Sequence, residues 1–71
     1  TYVELSTGAR GVVIKTDPDN PKNPFLKMIT DPEGNPYPEL PIYQPLPGDE
    51  VRIKRPLTTP EKKEVEKIFR V

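Results

Sequence analysis

Proline is the residue that most restricts what this chain can fold into. There are 11 prolines among 71 residues. Each one fixes its own φ, lacks a backbone N–H and holds the preceding residue in an extended conformation. The chain therefore cannot give many consecutive residues to helices or to central strands, and we expect most of its prolines to stiffen loops. A proline at a compatible loop site stabilises a fold by roughly 0.4–1 kcal/mol, because it lowers the entropy of the unfolded chain.

The length and composition of the chain allow one compact unit with a thin core, since only 32% of the 71 residues are apolar. We predict that residues 1–71 form a single small module. Its strand-like sequence starts at once after Thr1, so we expect a piece of a larger protein. No stretch approaches the roughly 20 apolar residues that span a bilayer, and there is no charged-then-apolar leader. The expected module is cytoplasmic, without a membrane partner.

Short runs of alternating apolar and polar residues, separated by turn residues, predict antiparallel strands. Gly11 lies inside the second run, where a glycine typically marks a bulge or the close approach of another backbone. The stretch from Tyr37 to Pro47 contains four prolines, which leave room there only for a short edge strand. The predicted strands cover about residues 2–5, 9–16, 25–30, 42–44 and 50–54. The predicted fold class is mainly β, a small five-stranded antiparallel SH3-like barrel with one C-terminal helix.

The C-terminal helix is predicted over about residues 60–69, with Thr59 as its N-cap and Pro60 at the first helical position. Thr58 and Glu61 also match the spacing of a capping box, so Thr58 is the alternative cap. Val65, Ile68 and Phe69 share one face of this helix, which we expect to dock on the sheet.

The predicted core combines the inward positions of the strands with the apolar face of the helix. Its members are Val3, Leu5, Val12, Ile14, Leu26, Met28, Val51, Ile53, Ile68 and Phe69. Three glycines, Gly8, Gly11 and Gly34, are expected to set backbone geometry in turns and at the bulge.

The sequence contains no His and no Cys. That removes imidazole acid–base catalysis, thiol nucleophiles, disulfides and the usual zinc sites. Two pairs of carboxylates remain, Asp17 with Asp19 and Asp31 with Glu33, and both pairs lie in proline-containing turns, where aspartate typically bonds to its own backbone. We therefore predict no catalytic residue, no metal ligand and no cofactor, and we expect the module not to be an enzyme.

Charge is balanced overall but not along the chain. Residues 1–49 carry four bases against seven acids, and residues 50–71 carry seven bases against four acids. The basic half supplies a candidate interaction surface made of Arg52, Lys54, Arg55, Lys62 and Lys63. The solvated faces of a strand and a helix explain these residues equally well, and nucleic-acid modules of this size are generally net basic. We therefore do not expect nucleic acid to be the main partner.

Residues 3–14, VELSTGARGVVI, are followed by DPDNP at residues 17–21, by PFLKMI at residues 24–29 and by DPEGN at residues 31–35. This series resembles the small segment that follows the catalytic domain in many bacterial HD-GYP phosphohydrolases, over roughly residues 2–36. Those enzymes degrade cyclic di-GMP at a metal centre built from His and Asp residues, and a chain without His cannot contain that centre. The resemblance implies a non-catalytic accessory or regulatory module. Its expected partner is its own catalytic or sensor domain, or another protein.

The same glycine-bounded hairpin is also similar to the short KOW-type motif of ribosomal and transcription-elongation barrels. In those barrels a strand, a G-x-x-G-x-V turn and a second strand contact RNA or protein. The alternative function is therefore a KOW-like small barrel that binds RNA or a ribosomal or transcription partner.

Overall fold

The computed structural model describes residues 1–69. Five antiparallel strands form one sheet in the order β4-β3-β2-β1-β5, and one helix follows them. The elements are β1 (Tyr2–Leu5), β2 (Arg10–Lys15), β3 (Phe25–Thr30), β4 (Ile42–Tyr43), β5 (Ile53–Pro56) and α1 (Thr59–Glu66). The predicted mainly β fold with five antiparallel strands and a C-terminal helix is confirmed. Residues 70–71, which belong to the predicted module, lie outside the described part.

Gly11 bends the sheet at its centre. The pairing of β2 with β3 shifts register between Arg10 and Gly11, as a bulge requires. A Cβ on Gly11 would lie 2.8 Å from the carbonyl oxygen of Lys27 and 3.2 Å from the sulfur of Met28. The predicted bulge and the predicted close approach are therefore both present at this residue.

The sheet is rolled around a first apolar cluster, made of Val3, Leu5, Ala9, Leu26 and Met28. Tyr43 of β4 and Ile53 of β5 come from opposite edges of the sheet, yet both pack against this cluster. The sheet therefore curls until its two edge strands share one interior, which is the arrangement of a small, partly open barrel.

A second apolar cluster, made of Tyr2, Val12, Ile29 and Val65, lies on the opposite face of the sheet, where α1 packs. Val65 is 2% exposed and supplies the helix's contact with it. Leu40 also reaches this cluster from the loop before β4, and it does so with a φ of 47°, in the left-handed region that non-glycine residues rarely adopt. Both faces of the central strands are therefore covered.

Two residues of the predicted core are exposed. Ile14 is 44% exposed, because a second register shift, between Val13 and Lys15, removes it from the regular alternation of β2. Ile68 is 43% exposed, because α1 ends at Glu66 rather than near residue 69. The core assignments of Ile14 and Ile68 were therefore wrong, whereas Phe69 packs against the second cluster as predicted.

The N-cap of α1 is Thr58, so the prediction of Thr59 was wrong and its alternative was right. The amide of Glu61 donates to Oγ1 of Thr58 (3.4 Å), and the amide of Thr58 donates to Oε1 of Glu61 (2.9 Å). These reciprocal hydrogen bonds satisfy two N–H groups at the helix start, those of Thr58 and Glu61, and Pro60 supplies no N–H to satisfy.

Strand β5 covers residues 53–56 rather than the predicted 50–54. Ile53 pairs with Leu5, and the amide of Arg52 donates to Oγ of Ser6 (3.1 Å). Val51, which precedes the strand, and Ile53 both pack against the first cluster, as predicted. The strand ends in Pro56, which an edge strand tolerates because its outer side has no partner strand.

Candidate functional site

The structure distributes the five residues of the predicted basic surface over different environments. Arg52, Lys54 and Lys63 are exposed. The ammonium of Lys62 lies 5.6 Å from the centre of the Tyr2 ring. Arg55 is half-buried and hydrogen-bonded to two carboxylates. The guanidinium of Arg55 is therefore engaged within the fold, and the basic residues that face solvent are the other members of the set.

Arg55 forms a two-point contact with Glu61. Its Nη1 donates to Oε1 of Glu61 (2.7 Å) and its Nη2 donates to Oε2 (2.8 Å), the planar fork geometry that makes Arg–carboxylate pairs strong. The same Nη2 also donates to Oε1 of Glu4 on the neighbouring strand (2.5 Å). The Arg55 hydrogen bonds hold the pKa of the Glu61 carboxyl well below its usual range, and the bonds to Glu61 raise the pKa of Arg55.

Arg10 extends this contact into a network across three strands. On the sheet, Arg10 lies opposite Glu4, and Glu4 lies opposite Arg55, so charges alternate from β2 to β1 to β5. Opposite charges on facing strand positions stabilise a sheet. Nη2 of Arg10 contacts Oε2 of Glu61 (3.2 Å) and its Nη1 contacts Oε2 of Glu64 (3.4 Å). Both acids lie on α1, and the network therefore joins the helix to the sheet.

The carboxylates that were considered for catalysis have turn partners instead. Oδ1 of Asp17 accepts from the amide of Asp19 (3.0 Å), and its Oδ2 accepts from the side-chain amide of Gln44 (2.6 Å). The Gln44 hydrogen bond is the main cause of the lowered pKa of Asp17. Oδ1 of Asp31 accepts from the amides of Glu33 and Asn35, both at 2.9 Å. The predicted turn roles are confirmed. Within residues 1–69 no group of three or more acidic side chains is placed to hold a metal ion.

An apolar groove of about 370 Å³ opens at one end of the rolled interior, between the β1–β2 turn and β4. Its lining includes Met28, Tyr37, Pro41, Ile42, Tyr43 and Val51. Ile42 is 62% exposed, while Met28 forms part of the buried floor. The hydroxyl of Tyr43 donates to Oδ2 of Asp49 (3.3 Å), and desolvation together with this carboxylate raises the pKa of Tyr43. This groove was not predicted from the sequence, because the proline-rich segment beside it has no regular apolar period.

Comparison with protein families decides what kind of module this is. The family model for the KOW domain associated with an HD domain matches residues 2–49. The chain belongs to this family. Two predictions therefore converge, since the resemblance to an appendage of HD-type proteins and the resemblance to a KOW motif both describe it. This KOW domain is an accessory module of an HD-domain protein.

Further searches add no relatives: neither the curated proteins nor the solved structures gave a match to this chain. In the described part of the KOW domain, α1 is too short and too polar to cross a bilayer.

Proposed function

We propose that this KOW domain is a non-catalytic accessory or regulatory module of a bacterial cyclic-dinucleotide signalling phosphohydrolase. It works in the cytoplasm by contacting the HD domain of its own protein. The observation that carries this proposal is the family match over residues 2–49, because that family is defined by its association with an HD domain.

The use of carboxylates in the fold supports a non-catalytic role. Asp17 and Asp31 bond to the backbone of their own turns. Glu4, Glu61 and Glu64 bond to arginines within the fold. A general acid or base needs a carboxyl that can reach a substrate and exchange a proton near the working pH. The lowered pKa of Glu61 moves that carboxyl away from this range.

The proposal is tested first by the sequence that precedes Thr1 in the parent protein. A domain with both an H-D and a G-Y-P motif is expected there. An HD domain without the G-Y-P motif would contradict the cyclic-dinucleotide assignment, and no HD domain at all would contradict the whole proposal.

A regulatory role is tested by comparing the parent protein with a version that lacks this module. Hydrolysis of cyclic di-GMP with manganese is expected to change in rate when the module is removed, while the isolated module is expected to hydrolyse none. Unchanged kinetics, with unchanged stability of the remaining protein, would contradict a regulatory role.

RNA or a ribosomal or transcription partner is the second candidate, and it is favoured by the KOW character of the family and by the exposed side chains of Arg52, Lys54 and Lys63. The engagement of Arg10 and Arg55 by glutamates weighs against it, since phosphate binding requires free positive charge. A titration with short RNA at low salt distinguishes the two functions. Amide shifts at residues 52–54 that weaken steeply with added salt would favour the RNA candidate.

A further inference from the structure

The apolar groove has the composition of a recognition surface rather than of a closed core. Its floor includes Met28 of the first apolar cluster and Val51, which packs against that cluster, and the side chains of Tyr37 and Tyr43 also line it. Ile42 on its rim is 62% exposed. Grooves with an apolar floor, aromatic walls and an open side bind extended peptide segments.

The edge strand beside the groove limits how such a segment can bind. Strand β4 has only two residues, Ile42–Tyr43, with Pro41 before it and the buried Pro45 after it. A strand that is short and bordered by prolines offers few backbone groups for the addition of another strand. An occupant of the groove must therefore bind through its side chains. The polyproline II conformation suits this role, because it is preformed, makes no internal hydrogen bonds and packs its rings against aromatic walls.

The charges next to the groove indicate what should accompany those prolines. Four exposed acids lie next to the groove: Glu33 follows the lining residue Pro32, Glu50 precedes Val51, Asp49 accepts the hydrogen bond from Tyr43, and Glu39 lines a neighbouring depression together with Tyr37 and Pro41. Three basic residues also adjoin lining residues in the chain, but Arg10 and Lys27 contact Glu61 and the Phe69 ring on the helix side of the sheet, which leaves Arg52. The acidic excess favours a segment with positive side chains, since complementary charge steers association and fixes orientation.

We propose that this groove binds an extended, proline-containing segment with basic residues beside the prolines. The proposal goes beyond the accessory role toward the HD domain and does not depend on it, because it concerns a different kind of partner and a defined surface of this chain.

The test uses the chain itself, uniformly labelled with ¹⁵N, and an oligoproline peptide with arginines at both ends. Two comparison peptides have the same length: one replaces the prolines with a Gly-Ser repeat, and the other replaces the arginines with glutamates. The arginine-flanked oligoproline is expected to shift the amides of Tyr37, Ile42 and Tyr43 saturably. The two comparison peptides are expected to bind at least about tenfold more weakly.

Two surface variants locate the binding. Ile42→Ser is expected to weaken binding of the arginine-flanked oligoproline by about tenfold, because it removes an apolar side chain from the rim. Ile14→Ser is the matched control, because Ile14 is also an exposed isoleucine (44% exposed) but lies outside the groove. This variant is expected to bind the peptide like the parent chain.

Three results would overturn the proposal. The first is an unchanged spectrum with the arginine-flanked oligoproline. The second is equal binding of the Gly-Ser peptide, which would show attraction by charge alone. The third is a set of shifts that avoids the groove. Failure here leaves the HD-domain contact untouched, since that contact is measured with the HD domain itself.

Discussion

Arg55 holds both carboxylate oxygens of Glu61, at 2.7 and 2.8 Å, and this contact joins the last strand of the sheet to the first turn of the helix. Glu61 makes three interactions. It closes the capping box with Thr58, it binds Arg55 and it contacts Arg10 on β2. The start of the helix is therefore joined to two strands, β2 and β5, through one carboxylate, and changes to this group should affect the fold more than changes to other surface charges.

Arg55→Lys is expected to lower the melting temperature by several degrees. A lysine keeps the charge but cannot make the two parallel hydrogen bonds to Glu61 while also reaching Glu4. Arg52→Lys, at an exposed arginine just before the same strand, is the matched control and should melt like the parent chain. Equal melting temperatures for the two variants, measured by circular dichroism, would show that the fork geometry contributes nothing.

The stability of the module should depend on pH through Glu61. Its pKa lies below its ordinary value of 4.5 in the folded state, mainly because of Arg55. The folded state therefore binds fewer protons than the unfolded state in acid. The contribution of the Glu61 carboxylate to the free energy of unfolding is fully present above about pH 4.5 and is lost as the pH falls toward the lowered pKa of Glu61.

Glu61→Gln should flatten this acid dependence, because the variant has no proton to gain at that position. Glu64→Gln is the comparison, since Glu64 makes one 3.4 Å contact and its side chain is 68% exposed. Urea unfolding from about pH 3 to about pH 7, a span that covers the ordinary titration of carboxyl groups, measures the free energy of unfolding of both variants. If the free energy of unfolding falls as steeply with acid in Glu61→Gln as in the parent chain, this role of Glu61 is contradicted.

Thr58→Ala should destabilise the module by about 0.5–2 kcal/mol, the usual cost of losing an N-cap side chain. Thr59→Ala lies one residue further and should cost about 0.5 kcal/mol or less, because Thr59 is already within the helix. Denaturant unfolding of the pair identifies the cap directly. A larger loss in Thr59→Ala would assign the cap to that residue instead.

Gly11→Ala should destabilise the module by roughly 1–3 kcal/mol, as overpacking does. The new Cβ would meet the backbone oxygen of Lys27 at 2.8 Å, and backbone cannot move aside as a flexible side chain can. Gly48→Ala is the control, since a Cβ there meets nothing within 4 Å. This variant should be neutral or slightly stabilising. Two variants of equal stability would mean that the sheet can open at the bulge without cost.

Local features of this fold could be predicted from the sequence because their signals lie within a few residues. The Gly11 bulge follows from a glycine inside a β-branched run, and the turn roles of Asp17 and Asp31 follow from neighbouring prolines and backbone amides. The N-cap was assigned to Thr59, which puts Pro60 at the first helical position, but the structure contains the capping box of Thr58 with Glu61 that the sequence spacing offered as the alternative.

Features that depend on distant residues were missed. Arg10 and Glu61 are 51 positions apart, and nothing in the sequence brings them together. Arg55 was therefore grouped with the exposed bases, although the structure turns it toward two carboxylates. The burial of both faces of β2 was also not predicted, because Val12 and Ile14 were expected to point to one common core. In the structure Val12 packs under the helix and Val13 packs against the first cluster on the other face.

We propose that this KOW domain contacts the HD domain of its own protein, and the most direct test is a titration of the ¹⁵N-labelled module with that HD domain expressed separately. Saturable amide shifts confined to one face of the module are expected. An unchanged spectrum at the highest concentration that the HD domain reaches would contradict the claim.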